Sequence, residues 1–255
     1  MKATAALGRG AVAVWLGLGA SLLGCGGGAP LMHGAHVLAP DQMAVGAGFS
    51  SEFRFTPTKT EADPLAERML DESVLSPGLA PWVSARLGFE NDFEAGLTYT
   101  GRTVRLDLRH AFALGEPTAL SLGLGASGVL PKRRDDIGIR VGGGGADLPI
   151  LLGWRSSADI LALWIGARGG FEVVEGEHQL AVAVDASAAA AVTEKVTGWH
   201  EYVGGLAGVR LGFRYLFAVL EVDAAMNWTN GDVGTESATL RAFGLAPAGA
   251  IVGRF

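Results

Sequence analysis

Val219-Leu220-Glu221-Val222-Asp223-Ala224-Ala225-Met226-Asn227-Trp228 sorts its side chains by parity. Leu220, Val222, Ala224, Met226 and Trp228 share one parity, and Glu221, Asp223, Ala225 and Asn227 share the other. A strand sends successive side chains to opposite faces, so this stretch reads as a strand with one apolar and one polar face. The pattern recurs along the chain. Val104, Leu106, Leu108 and Phe112 alternate with Arg105, Asp107, Arg109 and Ala111. Phe93, Ala95, Leu97 and Tyr99 alternate with Glu94, Gly96, Thr98 and Thr100.

A sandwich with one solvated face would also alternate. Two features favour a closed barrel crossing a membrane instead. The segments are about ten residues long, the length of a tilted transmembrane strand. Their polar positions mix Gly, Ala and Ser with charges of both signs, which suits a narrow interior better than a wet surface. The composition agrees. Of 255 residues, 49% are hydrophobic and 18% charged, yet no apolar run downstream of the first 25 residues is long enough for a spanning helix. The 39 glycines have no three-residue period, which excludes collagen.

The chain opens with Lys2 and Arg9 and an apolar stretch from Ala11 to Leu23, the charged and apolar regions of a secretory signal. It ends Leu22-Leu23-Gly24-Cys25, and Cys25 is the only cysteine. No disulfide framework or cysteine-based zinc site can be built from it. Once the signal is removed, 18 basic residues face 26 acidic ones, an acidic balance that excludes nucleic acid as a main partner.

The Leu-Leu-Gly-Cys ending resembles the bacterial lipobox, whose cysteine receives a diacylglycerol. At the other terminus Phe243, Leu245, Gly249, Ile251, Gly253 and Phe255 share one parity and Phe255 is last. This resembles the outer-membrane assembly signal, a final amphipathic strand ending in an aromatic residue. Together the two ends resemble a small bacterial outer-membrane β-barrel lipoprotein. The resemblance implies a signal peptide over 1–24, a lipidated tether over 25–41 and a barrel over 42–255. It also implies lipidation at Cys25, an assembly signal at Phe255, and outer-membrane lipids and the lipoprotein-processing and barrel-assembly machineries as partners. A short tether would put the acyl chains in the periplasmic leaflet. The barrel would already hold the chain in the membrane and the lipid would be a second anchor, so loss of the lipid should not release the protein.

Eleven segments qualify as strands: 42–55, 80–90, 93–101, 103–113, 118–130, 147–155, 159–172, 179–192, 199–213, 216–228 and 238–255. A single-chain barrel with both termini in the periplasm needs an even number. Short turns at 90–92, 114–117, 156–158 and 214–216 alternate with longer outer segments at 56–79, 131–146 and 229–237 only if 173–198 is one outer excursion. The expectation is therefore an all-β, antiparallel up-and-down transmembrane barrel of ten strands, with eight and twelve as alternatives. The sequence allows a short helix over Pro64–Asp71 in the first outer loop. Pro149 and Pro247 are expected near outer strand ends, at bulges. Trp82, Tyr99, Trp199 and Trp228 would form an outer aromatic girdle, and Phe89, Phe93, Trp154, Phe213 and Phe255 a periplasmic one.

The inward parity carries Arg86, Glu94, Arg105, Asp107, Arg109, Arg168, Arg210, Glu221 and Asp223, together with Glu52, Arg54, Glu172 and Arg241. A tight turn at Tyr215 and Leu216 would set Arg210 opposite Glu221. Charges of both signs favour a lumen closed by mutual pairing over an open channel. A barrel of about eight strands is filled by its side chains, and ten leave modest space.

Little else suggests chemistry. Gly123-Leu124-Gly125-Ala126-Ser127-Gly128 matches G-x-G-x-x-G, but no helix follows it. Gly142 to Gly145 reads as a loop. His33 and His36 fall in the tether, His110 on the lipid-facing parity near the periplasmic interface, and His178 and His200 in the outer excursion. His200 with Asp232 or Glu236 is the one arrangement a hydrolase could use. No metal or cofactor is called for. The leading expectation is a non-enzymatic barrel lipoprotein with a structural, surface-interaction or minor solute-transport role. The alternatives are a lipid-anchored soluble β-domain and an outer-membrane hydrolase.

Overall fold

Ten antiparallel strands close into a barrel in the computed structural model, which describes residues 28–55, 65–74, 78–131, 139–185 and 188–255. In chain order they are β1 (Met43–Phe55), β2 (Gly78–Phe89), β3 (Phe93–Tyr99), β4 (Thr103–Ala113), β5 (Thr118–Val129), β6 (Ile139–Arg155), β7 (Leu161–Asp185), β8 (Ala188–Phe213), β9 (Leu216–Val233) and β10 (Glu236–Arg254). Each strand pairs with its sequence neighbours, and β1 closes the ring on β10, with Ala44 opposite Arg254 and Phe55 opposite Phe243. One helix, α1 (Leu65–Val74), follows β1.

The start of β1 and the end of β10 lie together at one rim, the terminal rim. The short turns after β2, β4, β6 and β8 share it. The opposite rim, the loop rim, carries α1 and the tips of the β7–β8 and β9–β10 hairpins.

Parity divides the wall as the pattern requires. Leu97, Leu106, Leu124, Ile150, Ile165, Leu220 and Ile251 point outward and are exposed, whereas Arg86, Glu94, Arg105, Asp107, Arg109 and Glu221 point inward and are buried. Phe89, Phe93, Phe112, Trp154, Phe213 and Phe255 stand outward around the terminal rim. His110 points outward between Phe93 and Phe112, with ring centroids 4.6 and 4.4 Å away.

The loop-rim half departs from the sequence expectation. The excursion over 173–198 is not a loop but the outer part of the β7–β8 hairpin, strands of 25 and 26 residues. Among the described residues, no flanking strand pairs with the hairpin beyond His178 and Val196. Gly142 to Gly145 lie within β6, and 229–237 is strand apart from its two-residue turn. These extensions lack a wholly apolar face, so their alternation is weak and they look like loops in sequence.

Both prolines sit inside the wall instead of at its outer ends. Pro149 and Pro247 each interrupt pairing on one side over two residues while the register continues unchanged, so there is no bulge. Trp82 is also inward, contrary to its expected place in the outer girdle; it is only 2% exposed. It shares the parity of Ser84 and Arg86.

The apolar stripe of α1 explains how that helix docks. Ala66, Met69, Leu70 and Val74 recur at helical spacing and are buried. They pack on Val129, Val141, Val174, Val196 and Val233, one from each of β5 to β9. Gly198 and Gly231 let the helix approach, since a Cβ on either would press on the Leu70 side chain at 3.1 and 2.7 Å. The loop rim is thus stoppered from inside by α1. Arg54 on β1 holds the helix through Asp71 at 3.2 Å. Burial raises the Asp71 carboxyl above its ordinary range although Arg54 draws it down.

Candidate functional site

The lumen is the site, and the chain's own N-terminal segment occupies it. Residues 28–38 do not hang below the barrel as a tether. They enter at the terminal rim and climb inside the wall. The Asp41 N–H donates to the Gly88 carbonyl and the Gly88 N–H donates to the Gln42 carbonyl, which fixes the entry. Gly88 is required there, because a Cβ would overlap the carbonyls of Leu38 and Ala39.

The contacts then rise strand by strand. The Leu38 N–H donates to Glu94 at 2.8 Å, near the start of β3. Arg109 donates to the carbonyls of His36 (3.2 Å) and Gly34. The Leu31 N–H donates to Glu221 at 2.6 Å, and the Met32 N–H is shared between both Glu221 oxygens at 3.1 Å. Met32 adopts φ 58°, uncommon for a residue with a side chain, and this kink aims both amides at one carboxylate. Higher still, Arg168 donates to the Ala29 carbonyl, and Ser50, eight residues into β1, donates to the Gly28 carbonyl at 3.0 Å.

Apolar side chains fill the remaining space. Leu31, Met32 and Ala35 pack with Trp82, Leu151, Trp164, Leu206 and Val219. Trp164 also donates its indole N–H to Glu221 at 2.9 Å. Glu221 therefore accepts the Leu31 and Met32 amides of the N-terminal segment and the Trp164 indole.

Most of the expected charge network is assembled. Arg86 binds Glu94 and Asp107 (2.5 Å), Arg105 binds Asp107 (2.6 Å) and Asp147 (2.7 Å), Arg109 binds Glu94 (2.8 Å), and Arg168 binds Asp147 (2.8 Å). The result is a continuous alternation of cations and carboxylates from β2 to β7. Asp147 is the central member that the sequence reading missed. Its signal was available, since Leu148, Ile150, Leu152 and Trp154 point outward and Asp147 falls on the other parity. Gly125 makes room for it, because a Cβ there would collide with both Asp147 and Arg105. Gly123 and Gly125 of the G-x-G-x-x-G match are thus lumen spacers, whereas Gly128 faces outward into open space.

Arg210 is not paired with Glu221. The β8–β9 turn is the two-residue Arg214–Tyr215, with Arg214 at φ 57°, so Phe213 pairs with Leu216 and Gly208 stands opposite Glu221. That is a two-residue offset from the expected register. Arg210 instead binds Asp159 at the terminal rim, where Arg254 joins it at 2.7 Å. Asp223 lines a polar chamber with Arg168 and Tyr202.

This chamber, about 100 Å³, lies between Gly28 and the level of α1. His200 faces it, bonded to Asn227 at 2.9 Å, 3.7 Å from Glu172 and stacked on Tyr202. Asp232 is exposed and accepts from Ser237 at 2.6 Å, so the arrangement of His200 with an outer-loop acid is not formed. Among the described residues no group of three or more His, Cys, Asp or Glu is placed to hold a metal.

No protein-family model matches the chain. No curated protein matches it either. Among solved structures, the Neisserial surface protein A is 10% identical with a TM-score of 0.33, over 84% of this chain and 97% of that one. The N-terminal β-barrel domain of Pseudomonas aeruginosa OprF is 11% identical with a TM-score of 0.29, over 86% and 100%. Ail, the attachment invasion locus protein of Yersinia pestis, is 8% identical with a TM-score of 0.27, over 85% and 99%. Likenesses this weak carry no weight, and the barrel rests on its own strand pairing.

Proposed function

We propose that this chain is a bacterial outer-membrane β-barrel lipoprotein, lipid-modified at Cys25, whose barrel is a stoppered scaffold displaying loop-rim structure at the cell surface. The exposed apolar belt supports the membrane reading. Dozens of large apolar side chains face outward, among them Leu106, Leu124, Ile165, Leu211 and Leu220, far more than a water-soluble β-domain tolerates. Aromatic residues at the terminal rim suit a membrane interface. The lipobox-like Cys25 and the terminal Phe255 support lipoprotein processing and barrel assembly as its route, with outer-membrane lipids as its surroundings.

One observation carries the role. The lumen is filled by residues 28–38 from the terminal rim to more than half the height of β1, and by α1 at the loop rim. A solute pathway would need both to move. A structural or surface-interaction role needs neither to move, and the β7–β8 hairpin supplies a projecting element for it.

Purified protein in planar bilayers tests this. The native chain is expected to migrate faster before boiling than after, as a closed barrel does, and to give no steady conductance. A stable open channel from the native chain would sink the scaffold reading in favour of transport. Full release from membranes without detergent on Cys25→Ser would sink the barrel reading in favour of a lipid-anchored soluble domain.

A further inference from the structure

The lower lumen holds a second cavity, smaller than the polar chamber above it. It has about 50 Å³ of space and lies between the N-terminal segment and the wall. Several buried nitrogens on its lining side chains have no hydrogen-bond partner among the described residues. They are both ring nitrogens of His33, Nε2 of His36, Nε1 of Trp82 and Nε of Arg210. His33 is 8% exposed, and Trp82 is buried more deeply still. Every unpartnered buried atom at this cavity is a nitrogen.

An indole N–H and a guanidinium N–H can only donate, and a neutral imidazole donates from one nitrogen. The carboxylates around them are already occupied. Glu94 accepts from Arg86, Arg109 and the Leu38 amide, Asp159 from Arg210 and Arg254, and Glu221 from Trp164 and two segment amides. Four arginines line the cavity, Arg86, Arg109, Arg210 and Arg254, against the single carboxylate of Glu94. Buried donors left unmade are costly. A water could accept from two of them, but it must then place its own protons on acceptors, and these are taken. A small anion needs donors only.

We propose that this cavity binds one small monovalent anion, of the size and chemistry of a halide, and that the anion ties the N-terminal segment to the wall. His33 belongs to the segment, Trp82 to β2 and Arg210 to β8. An ion accepting from all three joins the segment to two separate strands. About 10–15 Å³ suffices for one water-sized sphere, so a cavity of about 50 Å³ takes a halide with a few waters and not a phosphate ester or a sugar. His36 lines this cavity and also an open cleft at the terminal rim that is lined by Asp159, the partner of Arg210 and Arg254. That cleft is the entrance. The site requires the segment to be seated in the lumen and is independent of lipidation.

Full-length protein in detergent tests this, with bromide as the probe. Crystals grown in sodium bromide should show an anomalous peak in the cavity, between His33 and Trp82. The gel-shift transition should rise as bromide replaces gluconate, which is too large for the cavity, at fixed ionic strength, and the rise should saturate. Trp82→Phe removes the N–H and keeps an aromatic ring in place. The concentration of bromide giving half the rise should increase about tenfold, as for one lost hydrogen bond to an ion. His33→Leu should weaken the response similarly, and it carries the test alone if Trp82→Phe forms no barrel, because His33 lies outside the wall. Trp199→Phe, on the outward face, should leave the response unchanged. If bromide and gluconate give the same transition and no anomalous peak lies in the cavity, it holds water only and the proposal fails. A peak confined to the terminal-rim cleft, or a bromide response unaltered in His33→Leu, also overturns it.

Discussion

Two sets of acidic side chains in one lumen are neutralised in opposite ways. Glu94, Asp107 and Asp147 meet arginines of the wall itself, so strands β2 to β7 are tied by ion pairs within the wall, although Glu94, Arg109 and Arg168 also bond the N-terminal segment. Glu221 meets no arginine. It is held by two amides of that segment and by Trp164. Buried charges need partners, and this chain supplies them from the wall on one side and from its own N-terminus on the other. The wall array can set the barrel's cross-section before the segment is seated, whereas Glu221 is satisfied only afterwards. Glu221 is therefore the group whose state reports whether the lumen is occupied.

Deleting residues 28–38 should break this relation most severely. The array should still close a barrel, so heat-modifiable migration should persist at a lower transition temperature. In a background that also lacks α1 (residues 65–74), the lumen should then open, giving measurable bilayer conductance where loss of α1 alone gives none. Failure of the deletion to form any barrel would show that the segment, not the array, sets the cross-section.

Asp147→Ala attacks the other side. It leaves Arg105 with Asp107 alone and Arg168 with the Ala29 carbonyl, both arginines buried, and removing one partner of a buried pair costs about 3–5 kcal/mol. The gel-shift transition should fall steeply while conductance stays absent. Glu221→Gln is gentler, because Gln can still accept from one amide. The loss should be about 1–3 kcal/mol, with brief conductance events in the background lacking α1 as the segment loosens. If Asp147→Ala opened the lumen and Glu221→Gln did not, the division of labour would be the reverse of the one drawn here.

The sequence shows one side of this comparison clearly and the other hardly at all. The array follows from parity, because charges opposite one another on neighbouring strands are fixed once the apolar face is known. Arg86, Glu94, Arg105, Asp107, Arg109 and Arg168 could all be placed that way, and Asp147 with them. Ten strands followed from turn lengths and closure. What parity cannot give is a partner outside the sheet. Leu31, Met32 and Ala35 carry no periodic signal, so nothing local distinguishes a lumen-filling segment from a tether. The two-residue error at Arg210 came from the turn, where one choice of hairpin residues moves every pair on both strands. The long β7–β8 extension was missed because, beyond the closed wall, its alternation of apolar and polar residues is weak.

The smallest expected effect concerns that extension. Lys195 and Glu175 pair at 2.8 Å across β7 and β8, and both side chains are about two-thirds exposed. The contact raises the Lys195 ammonium and lowers the Glu175 carboxyl relative to their ordinary ranges, chiefly through the hydrogen bond between them. Water and salt screen such a pair, and holding two long side chains in one geometry offsets what attraction remains. Lys195→Ala should leave the gel-shift transition and the absence of conductance unchanged at physiological salt. The array at Asp147 and this pair at Glu175 use the same chemistry at similar distances, and only burial separates them. A clear drop in the transition for Lys195→Ala would mean that the hairpin is packed against something in the membrane preparation, and that its surface is already an interface.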